Sequence, residues 1–451
     1  MHKYILSGWK TAPDIFTLIQ TMIKQHFRYI LFAAIAGGSL ASCTNKKKSD
    51  VKLKADVFKT YPIPAPTPLS AAERQRIKNG AELFYDTLLK NTGFNGGILV
   101  AKGGNIVFEQ YQGSVNIDSK EPIDANTPLH IASVTKTFTA MAILKLQEEG
   151  RLNINDTITK YFPGFNYPGI TVKDLLSHRS GLPNYLYFMK TLGWNEDSVI
   201  ENKDVLEWLI TKKDGIINIA PPNRRFTYCN TNYALLALII EKVSGITYPL
   251  FMQQNIFDPL GMKNTFVHFT GNGRVRSKSF DWKGREIPDN FLDDVYGDKN
   301  IYSTPRDLLT WDRALSDTGF LSAKSFDAAY TPYSNEHPGI KNYGLGWRMN
   351  AYPDGKKIIF HNGWWHGNNA AFIRLIKDNA TIILITNRYA RAVYKAKYLV
   401  NLFDHYFDTD VEEKENVLPG VPDAMAPEGV GAVDSTVIKK PGLKGAKRKK
   451  S

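Results

Sequence analysis

The sequence is poor in cysteine and lacks any internal repeat. Only Cys43 and Cys229 carry a thiol among the 451 residues, so the stability of the folded chain must come from a hydrophobic core. The composition, with 43% hydrophobic and 22% charged residues, is that of an ordinary globular protein. The length allows either two domains or one large domain.

The central part of the chain lacks a basic excess. The formal net charge is +13, but residues 1–48 account for +6 and residues 439–451 for +7. Residues 49–438 are therefore formally neutral, which argues against a nucleic-acid-binding fold and a nucleic-acid partner. Two interpretations of the basic C-terminal end stay open: contact with anionic lipid or cell-wall polymer, and a solvated tail without a partner.

The N-terminal region lacks an apolar run long enough for a comfortable membrane span. Lys24 and Arg28 precede the short apolar run 29–36, and small residues follow it. A charged, then apolar, then small-residue order predicts a secretory signal peptide, which we assign to residues 1–42. Met22 is an alternative start, because residues 1–21 do not fit a signal peptide.

Leu40-Ala41-Ser42-Cys43 resembles the lipobox of bacterial lipoproteins. The resemblance implies a lipid on Cys43, a membrane as partner, and a periplasm-facing position in the bacterial cell envelope. Thr44 in place of aspartate favours the outer membrane over the inner one. A plain signal peptide cut nearby is the alternative. A lipidated Cys43 would leave Cys229 without an intramolecular disulfide partner, and the polar, then proline-rich residues 43–69 would form a tether.

Hydrophobic periodicity predicts strands near both ends of the globular part and helices between them. A helix is expected from Ser70 to about Lys90, followed by a hairpin of Gly97–Ala101 and Ile106–Tyr111. Helical stretches follow at Val172–Ser177, Val205–Ile210, Tyr233–Val243 and Asp307–Leu315. Strands are then expected at Lys357–Phe360, Ala370–Leu375 and Thr381–Thr386. A last amphipathic helix is expected near Ala390–Tyr406.

This order predicts an α/β fold. An antiparallel sheet of N- and C-terminal strands would be flanked by helices, with a large, mostly helical insertion at about 151–335. The domain would span residues 70–408. Residues 409–451 have the proline-, glycine- and lysine-rich composition of a disordered basic tail.

Ser133 and Lys136 are three residues apart, so on a helix their side chains share one face about one turn apart. Apolar spacing over Phe138–Gly150 predicts a buried helix with Ser133 in its first turn. A serine nucleophile needs a base within hydrogen-bond reach, and a lysine can serve if burial or a nearby cation lowers its pKa. No acidic residue lies between Asp124 and Glu148. A helix cap followed by a solvated lysine is the alternative.

Two further motifs could complete such a site. Tyr228 and Asn230 are two apart in an extended or turn segment, where both would point the same way. A tyrosine beside a lysine can act as a base, and an asparagine amide can orient a substrate. His361-Asn362-Gly363-Trp364 follows a predicted strand; the glycine would admit a substrate backbone. The N–H groups of Ser133 and Trp364 could then form an oxyanion hole. His361 is otherwise a structural histidine.

Ser133-x-x-Lys136, Tyr228-x-Asn230 and His361-x-Gly363, in this order, resemble the serine β-lactamase and penicillin-binding protein superfamily, in its class C β-lactamase-like branch. The segment 170–183, ITVKDLLSHRSGLP, reinforces the resemblance, which covers about residues 70–408. It implies a β-lactamase/transpeptidase-like fold with Ser133 as nucleophile. It further implies that Lys136 and Tyr228 are the base pair and that Asn230, His361, Gly363 and Trp364 bind substrate.

The chain departs from the family pattern at three places. Cys229 stands where serine is more usual, His361 where many β-lactamases carry lysine, and Asn362 where threonine is commoner. Trp364 and Trp365 add bulk beside the expected oxyanion position. Because the lysine that often pairs with the β-lactam carboxylate is absent, we expect an esterase or DD-peptidase-like enzyme rather than an efficient β-lactamase.

These observations predict a serine hydrolase that forms an acyl-enzyme on an ester, amide or peptide, with a D-amino-acid or peptidoglycan-derived compound as one substrate class. A non-catalytic sensor that binds peptidoglycan fragments or β-lactams is the competing hypothesis. No cofactor is expected, and no metal, since His361 and His366 lack the spacing of a zinc site. The aromatic residues 185, 187, 188 and 194 either line a cleft or pack the helical region. The sequence does not determine the oligomeric state.

Overall fold

The computed structural model of the chain describes residues 60–116, 120–216 and 219–407. The predicted signal peptide 1–42, the lipidation site Cys43 and the basic tail 409–451 lie outside the described residues, as does most of the predicted tether.

The long strands lie near the two ends of the described chain, and most of the helices lie between them. The strands are β1 (Gly96–Lys102), β2 (Asn105–Gln112), β3 (Leu129–His130), β4 (Phe266–Val267), β5 (Ile301–Ser303), β6 (Lys341–Tyr343), β7 (Arg348–Ala351), β8 (Lys357–Trp365), β9 (Asn368–Leu375) and β10 (Ala380–Thr386). The α-helices are α1 (Ala71–Leu88), α2 (Thr135–Glu148), α3 (Val172–Leu176), α4 (Tyr185–Thr191), α5 (Asn202–Thr211), α6 (Asn230–Ser244), α7 (Tyr248–Met252), α8 (Asp258–Leu260), α9 (Pro305–Ala314) and α10 (Ala323–Ala329). Short 3-10 helices span Ala132–Val134, Ile158–Lys160, Lys213–Gly215 and Arg391–Leu402, and Gln253–Phe257 is π-helical.

Local signals explain the first elements. Ser70 caps α1 by accepting a hydrogen bond from the Glu73 N–H at 3.1 Å, as expected for a helix N-cap. Gly103 and Gly104, with φ of +58° and +74°, form the two-residue turn between β1 and β2. Both positions need a positive φ, which glycine adopts without a steric cost.

Seven strands of the described residues form one antiparallel sheet in the order β2-β1-β10-β9-β8-β7-β6. The N-terminal hairpin joins the C-terminal strands through β1 and β10, where Gly97 pairs with Ile385. This topology confirms the predicted fold class, an antiparallel sheet built from both ends of the chain.

The sheet separates two hydrophobic cores because successive side chains of a strand point to opposite faces. Ile98 and Ile382 lie in the core under α1 and the 3-10 helix 391–402. Leu99 and Ile383 lie in the larger core, which includes α2 and the helices of the insertion. The face that carries the larger core also carries the candidate site.

The insertion between α2 and β6 is mostly helical, as predicted, but it contains strands that the sequence did not indicate. Within the described residues, β4 and β5 join β3 in a small sheet of order β3-β5-β4. Each of the three strands has only two or three residues, too few to show an alternating pattern. β3 leads directly into the Ser133 turn, so this sheet anchors that turn.

Two predictions, one at each end of the domain, differ from the structure. Residues 60–69, assigned to the tether, lie against the domain: Tyr61 is buried, and the Thr67 N–H donates to the Gly103 carbonyl at 2.8 Å. The last predicted helix is a 3-10 helix, Arg391–Leu402. Its buried residues 393, 396 and 399 are spaced by three, the repeat of a 3-10 helix.

No single helix in the described ranges has the length and apolar composition to cross a membrane. A bent pair, 230–244 with 248–260, meets those two criteria only when its halves are combined. Much of α6 is buried in the larger core.

Candidate active site

Ser133 lies in the 3-10 helix Ala132–Val134, immediately before α2, rather than inside the first turn of α2 as the sequence predicted. Lys136 is the second residue of α2. Its Nζ atom lies 3.0 Å from the Ser133 Oγ atom, and both residues are buried. The structure thus brings the predicted nucleophile and a predicted base into direct hydrogen-bond contact, and it excludes the alternative of a solvated lysine.

A main-chain carbonyl holds the other side of the Lys136 amine. Lys136 Nζ donates to the Asp298 carbonyl oxygen at 2.7 Å. Within the described part of the chain, no carboxylate lies within ion-pair distance of Lys136. The amine is therefore positioned by neutral acceptors, and no salt bridge competes with its contact to Ser133.

The Asp298 carboxylate belongs to a second buried cluster. It accepts a hydrogen bond from the Tyr185 hydroxyl at 3.0 Å and lies 3.8 Å from Lys299 Nζ. Lys299 Nζ also donates to the Tyr185 hydroxyl at 2.6 Å and lies 4.7 Å from the centre of the Trp365 ring. Burial lowers the pKa of Lys299, partly opposed by the charge of Asp298. The sequence did not single out Asp298 or Lys299.

The aromatic residues that the sequence left open do not act as a group. Tyr185 and Phe188 are buried in the core, and Trp194 packs against Trp208 with ring centres 5.3 Å apart. Tyr187 is 64% exposed. Packing of the helical region therefore accounts for three of the four, and Tyr185 also reaches Asp298.

Tyr228 contacts Lys136 through its aromatic ring rather than through its hydroxyl group. Lys136 Nζ is 5.1 Å from the centre of the Tyr228 ring, and the Tyr228 hydroxyl has no hydrogen-bond partner among the described residues. The expected hydrogen-bonded Lys136–Tyr228 pair is therefore not formed in this structure. Cys229 is the N-cap of α6, and Asn230 begins that helix. The buried Oδ1 atom of Asn230 also has no partner in the described ranges.

His178, in the segment 170–183, packs against the Tyr228 ring and accepts a hydrogen bond from the next residue. Its ring centre lies 4.3 Å from that of Tyr228, and its Nδ1 atom accepts the Cys229 N–H at 3.1 Å. Burial lowers the pKa of His178 well below its ordinary value. The neutral ring is thus a structural acceptor that fixes the Tyr228-Cys229 backbone.

The His361 motif lies inside a strand rather than after one, because β8 continues to Trp365. By strand alternation, His361, Gly363 and Trp365 face the Ser133 side, whereas Trp364 points to the opposite side. The Trp364 ring packs near Tyr389, with centres 6.4 Å apart. The expectation that the Trp364 side chain adds bulk beside the oxyanion position is therefore wrong, and Trp365 is the residue that supplies bulk on that face.

His361 is a neutral, fully hydrogen-bonded side chain. Its Nδ1 atom is 2.7 Å from the Asn362 carbonyl, and its Nε2 atom is 3.2 Å from the Tyr343 hydroxyl. Burial, followed by the charge of Arg348, lowers the pKa of His361 well below its ordinary value. Burial raises the pKa of Tyr343, so this hydroxyl donates to Nε2 and the ring carries its proton on Nδ1. His361 cannot supply the positive charge of a lysine at that position.

Gly363 is where β8 touches the nucleophile turn. A Cβ atom at Gly363 would lie 2.3 Å from the Ile131 carbonyl oxygen and 3.1 Å from the Ala132 Cβ atom. Only glycine permits this approach without a shift of one backbone or the other. The contact places the following residue, Trp364, beside the Ser133 turn, where the oxyanion hole was predicted.

Arg348 is a site residue that the sequence reasoning missed. Its guanidinium carbon lies 5.0 Å from the centre of the Tyr228 ring, and it is half-buried on β7. The Arg348 guanidinium has neither a hydrogen bond nor an ion pair to any described residue. Arg348 directly follows the segment 343–347, YGLGW, whose Gly346 N–H donates to the Leu176 carbonyl at 3.2 Å. The signal available in the sequence was a cation directly after this glycine-containing aromatic segment.

Comparisons with known proteins agree with this geometry. Residues 82–404 match the protein-family model described as Beta-lactamase. Penicillin-binding protein 4* of Bacillus subtilis (strain 168) is 30% identical over 383 residues, which are 80% of this chain and 83% of that protein. Protein flp of Staphylococcus aureus (strain MW2) is 28% identical over 351 residues, which are 73% of this chain and 66% of that protein.

Two solved structures share the fold. The penicillin binding protein from Bacillus halodurans has a TM-score of 0.62 at 24% identity, covering 70% of this chain and 98% of that one. FmtA from Staphylococcus aureus has a TM-score of 0.60 at 21% identity, covering 77% and 95%. At such identities the likeness concerns the fold alone. Since the family match spans residues 82–404 and one relative is 30% identical over most of both chains, the chain belongs to the β-lactamase family, within the serine β-lactamase and penicillin-binding protein superfamily.

Proposed function

We propose that the protein is a serine hydrolase that forms an acyl-enzyme on Ser133 with an ester, amide or peptide substrate. The observation that supports this most directly is the 3.0 Å contact between Lys136 Nζ and Ser133 Oγ. That distance is within the range at which a base can take a proton directly from a nucleophile. Family membership supports the same reaction class.

In the proposed acylation, Lys136 acts as a neutral amine, and Ser133 Oγ attacks the substrate carbonyl carbon while its proton passes to the Lys136 nitrogen. The negative charge on the tetrahedral oxygen is stabilised by the N–H groups of Ser133 and Trp364. The leaving group takes a proton from Lys136 or from the nearby Tyr228 hydroxyl and departs. A water molecule then attacks the acyl carbon, gives its proton to the same base, and Ser133 is released with its proton restored.

Polar groups around Ser133 indicate how a substrate would be held. The unpartnered Asn230 Oδ1 atom can accept a hydrogen bond from a substrate N–H, which favours an amide or peptide. Arg348 offers a positive charge near Tyr228, while His361 is neutral. We propose D-amino-acid or peptidoglycan-derived compounds as substrates, in line with the penicillin-binding names of its relatives, and inefficient turnover of β-lactams.

One observation favours a non-catalytic sensor as the second candidate. The Tyr228 hydroxyl has no hydrogen-bond partner in the described residues, so it is not hydrogen-bonded to Lys136 as the expected base pair requires. A sensor would bind peptidoglycan fragments or β-lactams at the same cleft and would not turn them over.

A fluorophosphonate probe and a fluorescent penicillin would test the proposal on the full chain. We expect labelling of the wild-type protein and none of Ser133→Ala. Equal labelling of the two proteins would overturn the assignment of the nucleophile. Turnover of p-nitrophenyl esters, nitrocefin and D-alanyl peptides would identify the reaction. Ligand binding without turnover in all three groups would favour the sensor.

We further propose that the protein is anchored in the cell envelope by a lipid on Cys43 and faces the periplasm, with the outer membrane preferred. The lipobox-like sequence before Cys43 supports this. Cys43→Ala should move the protein from the membrane fraction to the soluble fraction. A wild-type protein that already fractionates as soluble would overturn the anchor without affecting the enzymatic proposal.

A further inference from the structure

We propose that His130 is a positioning residue that fixes the Ser133 turn relative to strand β8, through a hydrogen-bonded bridge that runs from Ala132 to the β8–β9 hairpin. The inference rests on the proposed function, because it assigns His130 the task of aligning the nucleophile with the second oxyanion donor. Neither the motifs nor the family resemblance singled out His130 or the residues that support it.

The first contact of the bridge is made to the residue before the nucleophile. The Ala132 N–H donates to His130 Nδ1 at 3.1 Å. Ala132 has a φ of +47°, a left-handed conformation that non-glycine residues rarely adopt and that the surroundings must hold in place. The hydrogen bond to His130 is the side-chain contact that satisfies this buried N–H.

The imidazole is itself held by Asn300. Its Nε2 atom lies 3.3 Å from Asn300 Oδ1, and since Nδ1 is an acceptor, Nε2 carries the proton. Burial lowers the pKa of His130 to about 3, so this neutral tautomer persists over the physiological pH range. The Asn300 side-chain amide in turn donates to the Asp293 carbonyl oxygen.

Asp293 connects the bridge to the strand that bears the oxyanion donor. Its carboxylate accepts the Trp365 Nε1–H at 2.5 Å and lies 3.0 Å from His366 Nε2. Trp365 ends β8 one residue after Trp364, and His366 begins the turn into β9. A chain of hydrogen bonds through His130, Asn300 and Asp293 therefore connects Ala132 with the side chains of Trp365 and His366, next to the two N–H groups that would bind the oxyanion.

Packing and hydrogen bonds together hold the His130 ring. The ring is buried and packs edge-on against Tyr302, with ring centres 4.9 Å apart. A small pocket with room for about one water molecule adjoins the bridge. The packing confines the ring, and the hydrogen bonds at its two nitrogen atoms set its orientation. A small change at His130 should consequently displace Ser133 relative to β8 without unfolding the core.

Two substitutions separate the two contacts of the His130 ring. His130→Asn places an amide oxygen near the position of Nδ1 and can still accept the Ala132 N–H. His130→Gln places its amide near the position of Nε2 and can still reach Asn300, but loses the acceptor for Ala132. Asn300→Gly removes the side-chain links on that side while tolerating the φ of +78° at this position.

The second-order rate constant for labelling of Ser133 by a fluorophosphonate measures the alignment. We expect a loss of about tenfold or more for His130→Gln and for Asn300→Gly, and of less than about threefold for His130→Asn. With a turned-over substrate, kcat should fall and KM should stay nearly constant, because the defect concerns the transition state. A purely structural role would instead lower the melting temperature of both His130 variants together.

Equal labelling of His130→Gln and wild type would overturn the inference while leaving the proposed function intact. Loss of wild-type labelling at Ser133 would overturn the proposed function instead. Hydrogen exchange of the peptide covering residues 131–134 gives a readout independent of activity. It should accelerate in His130→Gln but not in His130→Asn, and unchanged exchange in both would also overturn the inference.

Discussion

The Nζ atom of Lys136 lies 5.1 Å from the centre of the Tyr228 ring, and the Tyr228 hydroxyl has no hydrogen-bond partner in the described part of the chain. The same Nζ atom is 3.0 Å from Ser133 Oγ. Lys136 therefore lies within hydrogen-bond reach of the nucleophile, and the Tyr228 hydroxyl does not. This ranking differs from the equal base pair that the family resemblance implied.

Lys136→Met should therefore reduce Ser133 labelling more than Tyr228→Phe does. We expect a loss of at least about 1,000-fold for Lys136→Met, since removing one member of such a unit disables it. For Tyr228→Phe we expect about 100-fold, the effect of one general acid–base group. Labelling rates for both variants and for the double variant are the measurement.

The double variant should be labelled no more slowly than Lys136→Met, because the two groups serve one proton transfer. A larger loss for Tyr228→Phe than for Lys136→Met would assign the role of primary base to Tyr228. Circular dichroism of each variant would show whether its fold is retained.

Gly363→Ala should impair catalysis and stability together. The added Cβ atom would lie 2.3 Å from the Ile131 carbonyl oxygen, so β8 must move away from the Ser133 turn. We expect about 1–3 kcal/mol lower free energy of unfolding and a fall in kcat. Asn362→Ala changes the neighbouring side chain on the opposite face of β8 and is the matched control. Wild-type kcat in Gly363→Ala would contradict the proposed oxyanion site.

Arg348→Gln should change substrate preference rather than basal chemistry. The guanidinium has no partner among the described residues, and an ionised substrate group near Tyr228 would provide one. For a peptide with a free carboxylate, we expect kcat/KM to fall about 10- to 100-fold, and for its C-terminal amide to change little. Arg306→Gln, which removes a surface partner of Glu109, is the control. Equal losses on both substrates would exclude carboxylate recognition.

Much of the fold was predictable because its elements carry local signals. The cap at Ser70, the Gly103-Gly104 turn and the alternation in β10 each act within a few residues, and the structure has each element where the sequence placed it. Strand-like runs at both ends predicted one sheet built from both ends of the chain, but not the specific pairing of β1 with β10. By contrast, β4 and β5 are too short to show a pattern.

The site was only partly predictable, because several of its groups have no motif. Ser133, Lys136, Tyr228 and Gly363 stand in recognisable spacings. Asp298 contributes only a main-chain carbonyl to Lys136, which could be supplied by any residue type. His130 and Arg348 act through contacts between residues far apart in the chain. Such contacts depend on tertiary packing and leave no periodic trace in the sequence.

Stability should fall as the pH drops below about 6.5. Burial depresses the pKa of His130 to about 3, and those of His178 and His361 well below the ordinary value. Between the folded and the unfolded pKa, only the unfolded chain binds these protons, so each histidine lowers the free energy of unfolding by about 1.4 kcal/mol per pH unit on acidification. Urea denaturation at pH 7.5, 6.0 and 5.0 measures this slope.

His178→Asn tolerates the φ of +56° at that position, keeps an acceptor for the Cys229 N–H, and removes one titrating ring. Its slope over this range should be smaller than that of the wild type by about one proton, and an unchanged slope would show that His178 is not neutral in the folded protein.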